Sequence, residues 1–329
     1  MVLRRYPSRI RSGAARHWRR AVGTTLLLAA FALWGPMAPV QAAQDPERLL
    51  ERMNRALEQV QFDGTLVYLH GHDLAALRVS HRSNDGTTGE SMLSLTGPVR
   101  ALSRHADGVT CMLPDAAPLT VRKGHGDGGI LRSVPMDFAR LRKHYRILHA
   151  GRFRIAGRDT EVVGVLARDG YRYGYRFYLD QASGLPLKVD LLAQDETPIQ
   201  QIMFTDIAIH TNGAAPSRPM AAGQDVAAAS DAPDWLADRL PPGFRVISEE
   251  SLARDDGASI RQLVVSDGLA SFSVYLEPPS DGALQGESRL GAVSAAGGLV
   301  GAQQATVVGE VPPATVRTVL GGMEPEAGS

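Results

Sequence analysis

The sequence predicts a mainly β, α+β protein, and three observations lead there. Only a few segments space their apolar residues at helical steps. Most of the remaining chain reads as short alternating runs rich in Val, Ile, Leu, Tyr and Phe, broken by Gly, Pro, Asn and Asp. One stretch, NGAAPSRPMAAGQDVAAASD (212–231), is rich in Ala, Gly, Pro and Ser and lacks periodicity. It reads as a linker between a larger and a smaller part. The expected layout is therefore a leader over 1–42, a β-rich domain over 43–211, the linker over 212–231 and a smaller domain over 232–329. A chain of 329 residues has room for two domains, at about 150 residues each.

The leader comes first. MVLRRYPSRIRSGAARHWRR carries seven arginines and no acid, and AVGTTLLLAAFALW (21–34) follows as an apolar run. GPMAPVQAA then offers small residues spaced for cleavage after Ala42 or Ala43. Basic, apolar and small in that order is the pattern of a secretory signal peptide. The run is short of the roughly 20 apolar residues that a membrane helix needs. The whole chain balances 35 basic against 35 acidic residues, so without the seven leader arginines 28 face 35, a net charge of −7. A nucleic-acid binder needs a basic face to displace counterions from phosphates. An exported acidic chain is unsuited to that role, so no nucleic-acid partner is expected.

The elements follow in order. Asp45 is placed to cap a helix with Pro46 at its first position, and Leu49, Leu50, Met53, Leu57 and Val60 form its apolar face. FDGTLVYLH and LAALRVSHR flank Gly71-His72-Asp73 as a hairpin; ESMLSLTG, VRALSRH and GVTCMLPD continue the strands. Residues 124–129 read as a loop. DFARLRKHYRIL (137–148) predicts a second helix, from the spacing of Phe138, Leu141, Tyr145 and Leu148. FRIAGRDTEVVGVLA, YRYGYRFYLD, LPLKVDLLA and PIQQIMFTDIAIH return to strands. After the linker, PDWLADRLPPGFRVI opens the smaller domain, with strands in SIRQLVVSDG, ASFSVYLEP and QATVVGEVP and a helix over about 313–320.

The segment GYRYGYRFYLDQASGLPLK carries the most unusual pattern. As one strand it places Tyr171, Tyr173, Tyr175, Phe177 and Leu179 on one face and Arg172, Gly174, Arg176, Tyr178 and Asp180 on the other. That predicts an apolar face and a solvated one, closed by a turn at Gly184. Alternation leaves two readings of the aromatic face open, ordinary core or the wall of a cavity for an acyl chain. Other constellations read plainly. His70, His72 and Asp73 sit at a hairpin corner without ligand-type spacing, and Cys111, the one cysteine, reads as a buried thiol. Gly-x-Ser-x-Gly, His-Glu-x-x-His and Cys-x-x-Cys motifs are absent from the sequence. No catalytic residue, cofactor or metal is expected, and the chain is not read as an enzyme.

The ordered segments resemble the RseB/MucB family of periplasmic sigma-E factor regulatory proteins. The matching runs are FDGTLVYLHG, LRVSHR, ESMLSLTGPVRALSRHADGVTCMLPD, FRIAGRDTEVVGV, DGYRYGYRFYLDQASGLPLKVDLL and QQIMFTDI. PDWLADRLPPGFRV, VVSDGLASFSVYLEP, GAVSA and TVVGEVPPATVR follow in the smaller part. The resemblance implies a LolA-like, unclosed antiparallel β half-barrel with covering helices, followed by a smaller antiparallel α+β domain. It also implies a periplasmic location and a partner, the periplasmic domain of an RseA/MucA-type anti-sigma factor shielded from regulated proteolysis. A lipid, lipopolysaccharide or lipoprotein acyl ligand would relieve the shielding during envelope stress. The competing reading is a periplasmic lipid or lipoprotein carrier. Candidate lipid-facing residues are Leu66, Tyr68, Tyr173, Tyr175 and Phe177. No partner-binding residue stands out, and a homo-oligomer is left open.

Overall fold

A computed structural model of the chain describes residues 45–71, 73–84, 87–97, 101–105, 108–112, 119–122, 136–210, 236, 238–253 and 259–323. Helix α1 (Pro46–Gln59) begins as its sequence predicts, with the Asp45 carboxylate accepting from the Glu47 amide and Pro46 in the first turn. Its face of Leu49, Leu50, Met53, Ala56 and Leu57 is buried. Then the apolar period changes to two and the chain enters β1 (Gln61–His70), β2 (Asp73–Asn84), β3 (Thr87–Ser94), β4 (Ala101–His105), β5 (Gly108–Met112) and β6 (Leu119–Arg122). Helix α2 (Phe138–His144) leads into β7 (Tyr145–Ile155), β8 (Arg158–Ala167), β9 (Gly174–Asp180), β10 (Pro186–Leu192) and β11 (Pro198–His210).

These eleven strands make one antiparallel sheet in the order β6-β5-β4-β3-β2-β1-β11-β10-β9-β8-β7. Each half is a meander, and the long-range pairing of β1 with β11 joins the two. Three strands separate β7 from β11 in the sheet, yet the two come within 8 Å, Cα to Cα. The sheet therefore curls. Leu66 and Val79 from one half, and Tyr145, Val163 and Phe177 from the other, gather with the apolar face of α1 in a single core. An open curled sheet closing on a helix is the half-barrel arrangement that the resemblance implies.

The second sheet is also antiparallel. It comprises β12 (Arg245–Ala253), β13 (Ser259–Ser266), β14 (Ser271–Glu277), β15 (Gly286–Leu290), β16 (Val293–Val300) and β17 (Gln303–Gly309), in the order β12-β13-β14-β17-β16-β15. Helix α3 (Pro313–Met323) buries Val316, Val319 and Met323 against Val265, Val274 and Val307. The fold is thus mainly β with helices, as the sequence predicts.

Three expectations are corrected. The second helix stops at His144, and Tyr145 and Leu148 lie in β7, where pairing with β8 from Tyr145↔Ala167 to Ile155↔Arg158, shifted once at a bulge between His149 and Gly151, overrides the helical spacing. The aromatic strand begins only at Gly174; residues 171–173 form a turn, so strand parity does not govern Tyr171, Arg172 and Tyr173. The face carrying Arg176, Tyr178 and Asp180 is covered as well. Asp190, almost wholly buried, accepts from the Tyr178 hydroxyl at 3.1 Å and from Gln201 Nε2 at 2.7 Å, and pairs with Lys188 at 3.1 Å. Arg158 holds both oxygens of Asp180 at 2.9 Å. Burial works against ionising Asp180, but hydrogen bonds from Arg158 and Ser183 outweigh it and hold the carboxyl below its usual range. The linker over 212–231, the loop over 124–129, His72 and the Cys111 side chain lie outside the described residues.

Candidate functional site between the two sheets

The five sequence-predicted site residues do not share one wall. Leu66 is fully buried beneath α1, and Phe177 is nearly so; both belong to the core of the N-terminal sheet. Tyr175 stacks on Phe177, with ring centroids 5.8 Å apart and planes 5° from parallel, and packs against two clusters at once. The second cluster is small: Tyr173 and Leu191, with Ile199, meet Ala292 of the C-terminal sheet. Tyr68 is half-buried, and its hydroxyl lies 3.2 Å from His70 Nδ1. The structure therefore brings Tyr173 and Tyr175 to the contact between the sheets and leaves Leu66 and Phe177 in the core.

The contact has two parts. At one end the β1–β2 hairpin lays the His70 ring directly on Gly291, between β15 and β16. A Cβ there would come within 1.5 Å of His70 Nε2, and Gly291 also holds φ at +60°. Only glycine satisfies both demands. Nearby Glu310, just beyond β17, meets Gln200 of β11 and His70. Burial raises the Glu310 carboxyl above its usual range, against a smaller lowering from the Gln200 hydrogen bond and from His70. Burial also raises the hydroxyls of Tyr68, Tyr173 and Tyr175, and the Glu310 charge adds to each. Leu69, Gly71, Pro198, Ile199, Gln200, Arg289 and Gly291 line an open cleft of about 380 Å³ at this end.

Glu310 gives a pH prediction with a definite sign. Its folded pKa is raised, so its contribution to stability is fully present below the ordinary carboxyl value of about 4.3 and is lost as pH rises through the folded value. Glu310→Gln is expected to flatten that part of the stability profile, read by denaturant unfolding across a pH series. A profile unchanged by the substitution would show that Glu310 is not the group responsible.

At the other end the contact is tightly packed. Arg172, read from the sequence as solvated, has a side chain with no exposed surface. Its guanidinium donates to Asp267, to the Pro242 carbonyl and to Asp169, and lies 4.7 Å from the Phe244 ring centroid and 5.6 Å from that of Tyr145. The Tyr145 hydroxyl donates to the same Asp267 oxygen at 2.9 Å. The other oxygen accepts from the amides of Leu269 and Ala270 at 2.8 Å each. Gly243, with φ +88°, allows His144 to approach; a Cβ there would lie 2.3 Å from His144 Nε2. Sequence reasoning missed Arg172 and Asp267 because a buried ion pair requires a partner 95 residues away, and strand parity does not reach into a turn. The remaining sequence clue was the Ser-Asp-Gly turn at 266–268, whose aspartate suits a hairpin corner.

Models of two protein domains match the chain, the MucB/RseB N-terminal domain over residues 45–229 and the MucB/RseB C-terminal domain over 229–324. The sigma factor AlgU regulatory protein MucB of Pseudomonas aeruginosa is 32% identical, covering 92% of this chain and 98% of that protein. The sigma-E factor regulatory protein RseB of Escherichia coli K12 is 28% identical, covering 82% and 88%. Among solved structures, the P. aeruginosa MucA/MucB complex matches with a TM-score of 0.62 and 29% identity, covering 84% of this chain and 96% of the matched one. MucB in complex with MucA(peri) matches with a TM-score of 0.60 and 30% identity, covering 84% and 97%.

Proposed function

The chain belongs to the MucB/RseB family, and from that premise we propose that it binds the periplasmic part of a membrane anti-sigma factor. Bound there, it shields the anti-sigma factor from regulated proteolysis and so restrains the envelope stress response. It is a regulator and not an enzyme, in keeping with relatives named as regulatory proteins. The observation that carries the partner is the crystal structure of MucB with MucA(peri), matched over 97% of that MucB chain at 30% identity. Export fits the basic, apolar and small order of residues 1–42.

Release follows from linkage. An acyl ligand that favours the unbound form weakens partner binding by the ratio of its affinities for the two forms. Support for a ligand site comes from the cleft between Leu69, Pro198, Ile199 and Arg289, which pairs apolar walls with a cation. Tyr173 packs against Ile199 beside it. Tyr68 and Tyr175 complete the proposed lipid-facing set, while Leu66 and Phe177, which the sequence placed with them, belong to the core. Mass spectrometry of organic extracts from the native protein tests this component; extracts without an acyl species, and no acyl-chain binding by the purified chain, would remove it. The partner reading is tested by capture of the anti-sigma segment and by its protection from cleavage.

A further inference from the structure

The two parts of the contact between the sheets are built differently. Around Arg172, each sheet lends a residue to the other's core. Leu269, on the β13–β14 hairpin, packs against the N-terminal core, and Tyr171 packs against the C-terminal core. The Thr315 hydroxyl, at the start of α3, donates to the Tyr171 carbonyl at 2.6 Å. Asp267 is satisfied on both oxygens by the Arg172, Tyr145 and backbone donors already described. A buried charge pair placed in this way resists any displacement, because moving one partner leaves the other ionised in a dry site. At the His70–Gly291 end the contact is notched by an open cleft of about 380 Å³, lined by Leu69, Gly71, Pro198, Ile199, Gln200, Arg289 and Gly291, and no buried ion pair crosses it among the described residues. Surface beside an open cleft is already in reach of water and loses fewer dispersion contacts when it separates than a dry, charge-paired contact does.

We infer that the Arg172–Asp267 pair is the pivot of the contact between the two sheets, and that the sheets part at the His70–Gly291 end. Arg172 is then a positioning residue. It fixes the angle between the sheets without touching a ligand, and four segments converge on it: the β8–β9 turn, the start of β7, the approach to β12 and the β13–β14 hairpin. The inference is independent of the regulator reading and would hold equally for a carrier.

Two spin-label pairs in the full chain, with Cys111→Ser as background, test it by double electron–electron resonance. Lys143→Cys with Arg245→Cys spans the pivot, and Asp73→Cys with Ser288→Cys spans the other end; all four positions are exposed. The expected result is a narrow distance distribution across the pivot and a broader one across the cleft end. Arg172→Met is expected to broaden the pivot distribution to the width of the other. If that variant does not fold, Arg172→Met/Asp267→Asn removes the buried carboxylate along with its partner, leaves only the partly exposed Asp169 without Arg172, keeps an acceptor for the Leu269 and Ala270 amides, and gives the same reading. Equal widths in the unmodified pair, or a pivot distribution that stays narrow in a folded variant, would overturn the inference. A residue that merely stabilises the fold would lower the unfolding midpoint and leave both distributions unchanged.

Discussion

Asp267→Ala is expected to cost about 3–5 kcal/mol of unfolding free energy, the loss typical of breaking a buried ion pair from one side. The Arg172 side chain has no exposed surface from which water could replace the carboxylate. Its remaining partners, the Pro242 carbonyl and Asp169, satisfy hydrogen bonds but leave the site with less counter-charge. The substitution also strips the acceptor from the Leu269 and Ala270 amides that shape the β13–β14 hairpin. Asp267→Asn separates the two effects, since an amide oxygen still accepts from the turn while the charge is gone. Denaturant titration should place Asn between the parent and Ala. An Ala variant as stable as the parent would mean that the Arg172 cluster is not held as described.

Leu66→Ala is expected to cost about 2–5 kcal/mol, the range for truncating a fully buried leucine, with the spread set by how far the site collapses. Leu66 has no exposed surface, faces Phe204 and Leu77 across the sheet, and lies in the core beneath α1. This distinguishes the two readings that strand alternation left open. A core leucine loses stability with or without an acyl ligand; a leucine lining a ligand cavity loses less in the unliganded protein and more ligand affinity. Urea unfolding with and without a fatty acid separates them, and a loss well under 1 kcal/mol would contradict the core assignment.

Much of the fold was legible because it depends on local rules. Asp45 and Pro46 announced α1, Gly71 and Gly184 marked hairpins that the structure contains, and alternation identified most strands in both sheets. The errors fall where distant residues decide. Tyr145 continues a helical spacing but pairs with Ala167, so it becomes the first residue of a strand. Tyr173 keeps the parity of Tyr175 in the sequence yet sits in a turn that faces Ala292, across the contact between the sheets. Arg172 appeared solvated because arginine usually is; its counter-charge, cation–π partners and acceptor carbonyl come from Asp267, Tyr145, Phe244 and Pro242. Of the candidate site, the aromatic residues were visible in the sequence. The geometry that divides them between a core and an interface was not.

We propose that the chain holds the periplasmic part of an anti-sigma factor. The most direct test is isothermal titration of the full mature chain with that segment from the same cell, followed by exposure of the complex to the initiating protease. Saturable binding that slows cleavage of the segment is the predicted result; a segment that does not bind, and is cut at the same rate with or without the chain, would contradict it.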